Sequence, residues 1–372
     1  MENELTKYND EWNVLVNIAK GDIAQVKELV LGKTINWGEL IEQAMSHKMF
    51  SMVCYEFIED DDLFRCIPPF INQYFRLCYD INRLKTEEIK KAALEIDKAL
   101  RDKSIPYVAT KGIILDSELY GNKGMRFLSD ADFMTLPQYK SDVASILESL
   151  EYCEGTVDWR RNSLREMSRK EHMRYLLTKE KLPEYIKQIN NSIISYVSVG
   201  FVCSFTWAKC EYSVDLEKAF EKILRYEIDE KHSCVNGFGT SYHFIYIILH
   251  LYKHAWVEFL SKWRNDVNLV KFADVYRFWM KYENTLLDEL PKMMKDLCIE
   301  KPILWTLYHT DQIFGSNMIE KLHCEYFVDE NNQYLYSASN KQGEVRRWRG
   351  TMMDRLYSKN REELFVNVGE DL

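Results

Sequence analysis

The hydrophobic period of the sequence changes near residue 104, and this change constrains the fold more than any other feature. Between residues 74 and 100, apolar residues recur at helical spacing with lysine and glutamate between them, which predicts one long amphipathic helix. Residues 105–110 are rich in β-forming types and include Pro106, which suits the start of a strand. A chain that joins these two patterns is predicted to have an α+β fold.

Helical spacing also marks several shorter segments. Asp22 and Asn36 are placed to cap two helices near the N-terminus, because Asp and Asn side chains accept hydrogen bonds from the first turn of a helix. Residues 113–120 return to helical spacing and end at Gly121, and residues 141–150 form another helical segment. The sequence therefore predicts helices on both sides of the first strand.

Further strands are predicted at 130–134, 193–205 and 211–216, where β-forming residues run together or alternate with polar ones. Together with the first strand they give a small mixed sheet. The stretch from 154 to 192 is highly charged, which is typical of exposed helix joined by loop. We interpret its arginines as a solvated face, with contact to an anionic acceptor as the alternative.

The C-terminal half returns to helical spacing. Residues 241–319 are rich in aromatic side chains and predict a second helical unit, within which Asp266 is interpreted as a helix cap and nucleotide binding is the alternative. Because single cores stop growing at about 250 residues, a chain of 372 residues is expected to have more than one domain. The predicted division is an N-terminal helical region 1–103, a core 104–236, a C-terminal helical domain 237–322 and a tail 323–372 without an assigned role.

Charge and cysteine content exclude several classes of protein. With 49 basic and 58 acidic residues the net charge is −9, which argues against broad attraction to a long nucleic acid. Nine cysteines without a Cys-x-x-Cys pair indicate reduced thiols and no structural zinc site. No apolar run approaches the roughly 20 residues that span a bilayer, and the N-terminus is polar and acidic. We therefore expect a cytoplasmic protein without a membrane partner.

Two aspartates flank a single residue in the predicted strand 130–134. Side chains alternate along a strand, so Asp130 and Asp132 project from one face while Ala131 and Phe133 project from the other into a core. Two neighbouring carboxylates repel unless a cation lies between them, and hard oxygen ligands favour Mg²⁺ or Mn²⁺. The pair is therefore a candidate metal site.

A third carboxylate lies in the predicted strand 211–216. Asp215 shares one face with Ser213 and Glu217, and a neighbouring strand would bring it to the same metal. Two ions about 3.5–4 Å apart activate an attacking hydroxyl and stabilise a leaving pyrophosphate. Asp215 is the carboxylate that we expect to accept the proton of the attacking group.

A Lys-Gly pair stands between the first strand and the helix at 113–120. Backbone N–H groups at a helix start hold phosphate, and Lys111 beside Gly112 adds positive charge. Arg126 and Ser129 precede the aspartate pair in a loop, where they either orient phosphate or hydrogen-bond the turn. These four residues are the candidate group for substrate binding.

Three segments in this order resemble a known family. They are Tyr107–Leu115 with its Lys-Gly, Leu119–Gly121 with its Leu-Tyr before a glycine, and Met125–Phe133 with an arginine followed by Asp-x-Asp. The pattern is similar to that of an uncharacterised bacterial nucleotidyltransferase family of the DNA polymerase beta-like superfamily. Val214–Leu216 is more loosely similar to the third acidic strand of that family.

The resemblance implies a polymerase-beta-like nucleotidyltransferase core, which is a small mixed sheet flanked by helices, with N-terminal and C-terminal helical units. It implies that Asp130, Asp132 and Asp215 bind metal, with Mg²⁺ or Mn²⁺ as the cofactor. The implied reaction moves a nucleoside monophosphate from a nucleoside triphosphate to a hydroxyl or amine of an unidentified small-molecule or protein acceptor, and it releases pyrophosphate.

Two other interpretations stay open. Asp-x-Asp also serves metal-dependent glycosyltransferases, which do not require a remote third aspartate. A non-catalytic binding module, or a module of the toxin–antitoxin type, would retain the fold without the chemistry. If changing Asp215 leaves metal binding and turnover unaffected, a glycosyltransferase is favoured over a nucleotidyltransferase. If no nucleoside triphosphate binds in a metal-dependent way, a non-catalytic module is favoured.

Overall fold

The chain forms two compact units, Met1–Arg76 with Phe244–Leu372, and Leu77–His243. The N-terminal and C-terminal segments therefore belong to one unit, and the four-part division expected from the sequence stays a prediction. The computed structural model describes residues 8–177, 180–191, 193–207, 210–257, 261–262, 264–324, 333–339 and 343–367.

The N-terminal part of the chain is helical. Its elements are α1 Asp10–Lys20, α2 Ile23–Gly32, α3 Trp37–Ser46, α4 Phe50–Glu59, α5 Asp61–Cys66 and α6 Pro69–Asp102. Both predicted caps are confirmed, because the Asp22 side chain accepts from the Gln25 backbone N–H and the Asn36 side chain accepts from that of Glu39. The predicted long amphipathic helix is α6.

The middle of the chain alternates between strands and helices, which confirms a mixed α+β chain. Its elements are β1 Tyr107–Ala109, α7 Gly112–Tyr120, β2 Ala131–Thr135, α8 Lys140–Ser149, β3 Cys153–Asp158, β4 Ser163–Glu166, α9 Arg169–Leu177, β5 Tyr185–Gln188, β6 Tyr196–Val202, α10 Leu216–Phe220, β7 Ile223–Glu227 and β8 Cys234–Phe238. The strands predicted near 107, 130 and 193 correspond to β1, β2 and β6.

Helices return in the C-terminal part and are followed by a small sheet. The elements are α11 Thr240–Trp256, α12 Leu269–Asp296, α13 Glu300–Phe314, α14 Met318–Lys321, β9 Ser337–Ser339, β10 Val345–Trp348, α15 Met352–Tyr357 and β11 Phe365–Asn367. The last three strands pair antiparallel in the order β11-β10-β9. In the described part of the chain, no helix has both the length and the apolar character needed to cross a membrane.

Six strands form the main sheet in the order β1-β2-β6-β5-β3-β4. Strands β2 and β6 run parallel and the other neighbours run antiparallel, so the sheet is mixed. On one face, Ala131, Phe133 and Val199 are fully buried in a core with Ile96 of α6 and Leu147 of α8. Because strand residues alternate, their neighbours project from the opposite face. That opposite face carries the candidate site.

Two segments differ from the sequence-based predictions. The strand predicted at 211–216 is wrong, because the Asp215 side chain accepts hydrogen bonds from the Glu217 and Lys218 backbone N–H groups and starts α10. The stretch 154–192 contains β3, β4 and β5 besides α9, where helix and loop were predicted. Its charged residues suit strands near the edge of a sheet, since charge discourages further strand pairing there.

A carboxylate held by two arginines is buried in the unit that contains both chain ends. Asp266 is fully buried, and its two oxygens pair with Arg355 and Arg361. The Arg355 guanidinium also lies 4.5 Å from the ring centroid of Trp348. The prediction that Asp266 caps a helix is wrong, because the cap of α12 is Asn268. The tail that had no assigned role thus supplies two buried cations to the core of this unit.

Candidate active site

Strand β1 ends in a turn that leads into α7. The Thr110 backbone N–H donates to the Asp132 carbonyl at 2.9 Å, so strand pairing continues up to the residue before Lys111. Lys111 then adopts φ 52° and ψ −125°, a conformation that costs a non-glycine residue energy and that clusters at functional sites. The Lys111 side chain returns to β2, where Nζ lies 3.1 Å from Oδ2 of Asp132.

Gly112 begins α7 at a point where the loop before β2 passes close by. A Cβ atom at this position would overlap the Leu128 side chain and lie 2.9 Å from Nη1 of Arg126. The Arg126 guanidinium therefore lies against the first turn of α7, whose leading N–H groups have no partner within the helix. With the Lys111 ammonium nearby, this helix start is a positive site rich in N–H donors.

Helix α6 holds α7 and the loop in position. The Asn82 side-chain amide donates to the Gly124 carbonyl at 2.6 Å. Lys90 and Asp116, which are both buried, form an ion pair at 2.5 Å between α6 and α7. Because a buried ion pair is costly to break, these contacts fix the helix start relative to the arginine that lies against it.

Asp130 directly precedes β2, and Asp132 lies within it. The Asp132 side chain is 21% exposed and pairs with Lys111. The Ser129 hydroxyl donates to Oδ1 of Asp130 at 2.6 Å and so orients that carboxylate. The role in substrate binding expected for Ser129 stays a prediction. The two aspartates are separated by one residue, so their carboxylates lie on the same side of the strand, as the alternation of the sequence indicated.

The aspartate pair is short of positive charge. Burial and the charge of Asp130 raise the pKa of Asp132 to about 6, although Lys111 and Arg126 act in the opposite direction. A carboxylate whose pKa rises in the presence of two cations remains under-neutralised. This electrostatic condition favours the arrival of a further cation at the pair.

Another carboxylate lies near the pair. Glu184 directly precedes β5, and the charges of both Asp130 and Asp132 act on its carboxyl. Between them in the sheet, Gly200 of β6 pairs with Asp132. A Cβ at Gly200 would lie 3.5 Å from Oδ1 of Asp132. The glycine therefore leaves space open beside Asp132.

Glu184 is electrostatically coupled to the aspartates. Burial and Asp130 raise the pKa of Glu184, and Asp132 adds to this effect, whereas a hydrogen bond with Ser198 and the charge of Lys181 lower it. The Glu184 carboxyl therefore belongs to the surroundings of the aspartate pair.

Glu184 is not among the residues predicted from the sequence. The residue lies in the charged stretch 154–192, which was interpreted as surface. The available signal was a single glutamate inside the run Leu182-Pro183-Glu184-Tyr185-Ile186, since an isolated acid among apolar residues is unusual on a solvated face.

Asp215 has a different local role from the one predicted. Its side chain caps α10 and is 48% exposed. Across the described ranges of the chain, no three His, Cys, Asp or Glu side chains form a group able to hold a metal ion. Asp130, Asp132 and Asp215 therefore do not meet as such a group, and the metal-binding role of Asp215 stays a prediction.

The aspartate pair fits a divalent cation that arrives with its other ligands. In sites for phosphorylated substrates, Mg²⁺ typically takes one or two carboxylates and completes its shell with phosphate oxygens and water. The hard carboxylate oxygens of Asp130 and Asp132, together with the raised pKa of Asp132, match that requirement. These two residues are the candidates to hold Mg²⁺ or Mn²⁺.

A protein-family model matches most of the chain. The model described as "Uncharacterised nucleotidyltransferase" matches residues 33–315, a range that contains the Lys-Gly turn, the aspartate pair and Glu184. The chain belongs to this family of uncharacterised nucleotidyltransferases, which makes nucleotidyl transfer its general activity and a nucleotide its substrate. No curated protein and no solved structure matches the chain.

Proposed function

We propose that the protein transfers a nucleoside monophosphate from a nucleoside triphosphate to a hydroxyl or amine, with Mg²⁺ or Mn²⁺ at Asp130 and Asp132. The observation that supports this best is the meeting of an under-neutralised carboxylate pair with Lys111 and the start of α7. One side of this arrangement suits a divalent cation, and the other suits phosphate oxygens.

Two groups of residues would bind the triphosphate, one through its phosphate oxygens and one through a divalent cation. The Arg126 guanidinium lies against the start of α7, and together with the first N–H groups of that helix it would donate to phosphate oxygens. Lys111 reaches the same region and adds a point charge. A divalent cation held by Asp130 and Asp132 would neutralise the charge that develops on the transferring phosphoryl group.

In the transfer, the acceptor oxygen or nitrogen bonds to the α-phosphorus, and the bond from that phosphorus to the oxygen leading to the β-phosphorus breaks. Pyrophosphate leaves with the electron pair of that bond. The proton of the acceptor hydroxyl or amine passes to a carboxylate, and Glu184 is the candidate because its carboxyl lies close enough to feel the charges of Asp130 and Asp132. Asp215, which caps a helix, is the alternative that the sequence suggested.

The acceptor belongs to a limited set of classes. The net charge of −9 disfavours a long nucleic acid, which leaves a small molecule or a protein side chain. Direct binding measurements identify the base of the triphosphate, since the residues assigned above would contact its phosphates and the metal.

Calorimetry with ATP, GTP, CTP and UTP, each with and without Mg²⁺, tests the proposal. We expect binding of at least one triphosphate that strengthens about tenfold or more with metal and loses that gain in Asp130→Asn. Equal affinity with and without metal would contradict the metal site. Metal-dependent binding without any pyrophosphate release in cell extract would instead identify a binding module, and metal-dependent binding of a nucleotide sugar alone would identify a glycosyltransferase.

A further inference from the structure

A cavity of about 290 Å³ lies beside strands β3 and β4 and helix α9. It occupies the charged stretch that the sequence analysis interpreted as surface. Its volume is at the lower end of the range of small-molecule sites, which extends from about 300 to 1,000 Å³. The lining residues are Gly155, Thr156, Arg165, Met167, Glu171, Tyr175 and Lys181.

One charged pair in this cavity is already matched. Both terminal nitrogens of Arg165 lie 3.1 Å from the carboxylate oxygens of Glu171, and the Arg165 Nε donates to the Thr156 hydroxyl at 3.2 Å. These bonds, with two from Ser168, lower the pKa of Glu171 to about 2. Arg165 is therefore held in place, but its charge is offset by the glutamate.

The second cation in the cavity is held differently. The Lys181 ammonium lies 4.8 Å from the ring centroid of Tyr175, and within the described residues it forms no salt bridge, although its charge acts on the nearby Glu184 carboxyl. Within the lining itself, Arg165, Glu171 and Lys181 together leave one positive charge. A lysine over an aromatic ring at the wall of a cavity is placed to receive an anionic group.

The cavity adjoins Glu184, which lies near the aspartate pair of the candidate active site. The Gly155 backbone N–H donates to the Glu184 carbonyl at 3.1 Å, and the charge of Lys181 acts on the Glu184 carboxyl. Glu184 in turn feels the charges of Asp130 and Asp132. A molecule seated in the cavity is therefore next to the residue assigned to take the acceptor proton.

We propose that this cavity binds the acceptor, and that the acceptor is a small molecule whose carboxylate or phosphate group is held by Lys181. The acceptor role rests on the proposed function, whereas the binding of a small anion does not. The volume favours a small molecule over a protein segment, and the excess positive charge favours an anion over a neutral compound.

Titration calorimetry with inorganic phosphate and with glutarate tests the binding, and glutaramide serves as the neutral probe. We expect at least one anion to bind the wild-type chain and glutaramide not to bind. Lys181→Met should weaken anion binding about tenfold. Glu171→Gln should strengthen it about three- to tenfold, because the change releases the Arg165 charge. The matched control is Lys170→Met, a lysine of α9 that is outside the lining, and it should change affinity less than about twofold.

The opposite signs of the two cavity variants separate electrostatics from damage to the fold, since local unfolding would weaken binding in both. The proposal is overturned if neither anion binds, if the neutral probe binds equally well, or if Lys181→Met has no effect. It is also overturned if Glu171→Gln weakens binding, or if the anions compete with ATP and Mg²⁺, because they would then occupy the triphosphate site. Anion binding of the expected kind in a chain that binds no triphosphate would retain the cavity and reject the proposed function.

Discussion

Two groups of charged residues, one fully buried and one partly buried, use aspartate in opposite ways. In one unit, Asp266 faces two arginines. Burial would raise its pKa, but the guanidinium groups outweigh that effect, and the pKa lies below its ordinary value. In the other unit, Asp132 faces Asp130 as well as Lys111, and burial with the neighbouring carboxylate raises its pKa to about 6.

The difference separates a structural site from a binding site. A buried carboxylate with matched cations holds chain segments together, and removing one partner leaves the others buried without a counter-charge. A carboxylate without enough positive charge around it destabilises the folded chain, and a ligand that brings positive charge removes this unfavourable electrostatic energy. The direction of the pKa shift therefore distinguishes the two groups more clearly than burial does.

The largest effect is expected for Asp132→Asn. This change should lower metal-dependent turnover by about 1,000-fold, because it removes a metal ligand and a charge that act on the transition state. The melting temperature should stay level or rise, since repulsion with Asp130 is also removed. Pyrophosphate release in cell extract and thermal unfolding of the metal-free protein measure the two outcomes.

Asp142→Asn is the matched control for this prediction. Asp142 is an exposed aspartate in the first turn of α8, where a substitution typically changes stability by less than about 0.5 kcal/mol. If Asp132→Asn instead unfolds so readily that its lower stability accounts for the lost turnover, Asp132 would be a structural residue, as Asp266 is.

Asp266→Asn should act on stability alone. The change leaves Arg355 and Arg361 buried without a full counter-charge, and breaking a buried ion pair from one side costs about 3–5 kcal/mol. Urea unfolding should show this loss as a lower midpoint. At temperatures where the variant stays folded, metal-dependent triphosphate affinity should match the wild-type chain. A drop of less than about 1 kcal/mol would show that the arginines find other partners.

The next comparison lies within the candidate site. Glu184→Gln should lower turnover about 100-fold, which is the usual scale for loss of a general base. Asp215→Asn should lower it less than about twofold. Because asparagine caps helices nearly as well as aspartate, this variant removes the Asp215 charge and keeps the cap. Single-turnover rates under saturating Mg²⁺ compare the two, and the reverse order of effects would restore Asp215 to the role suggested by the sequence.

Local patterns made much of the site predictable. The aspartate pair, the Lys-Gly turn and the strand and helix around them depend on residues close together in the chain. Alternation along 130–134 and helical spacing along 113–120 were therefore sufficient to place them. The close approach that requires Gly112 was not predictable in the same way, because it depends on where the Leu128 side chain packs.

Long-range pairing limited the rest. Glu184 lies near Asp132 only because segments far apart in the sequence join in one sheet, and Asp266 meets Arg355 across 89 residues of chain. Asp215 shows how two local signals compete. The alternation around it suggested a strand, but an aspartate followed by Leu-Glu-Lys is also a good helix start. In the structure Asp215 caps a helix.

The smallest effect is expected from pH, and it should again set the two groups apart. In the metal-free protein, the pKa of Asp132 is about 6 against an ordinary value of 3.8, so between these values the folded state holds a proton that the unfolded state has lost. Stability should therefore fall as pH rises through this window, by about 1 kcal/mol once solvent screening is allowed for. Asp266, with its lowered pKa, contributes in the opposite direction and loses stability only as pH falls below its ordinary range. Urea unfolding from pH 4 to pH 7 measures the slope, which should become shallower in Asp132→Asn and with Mg²⁺. The raised pKa of Glu184 leaves a remainder of the same sign, and a slope unchanged in that variant would assign it to other groups.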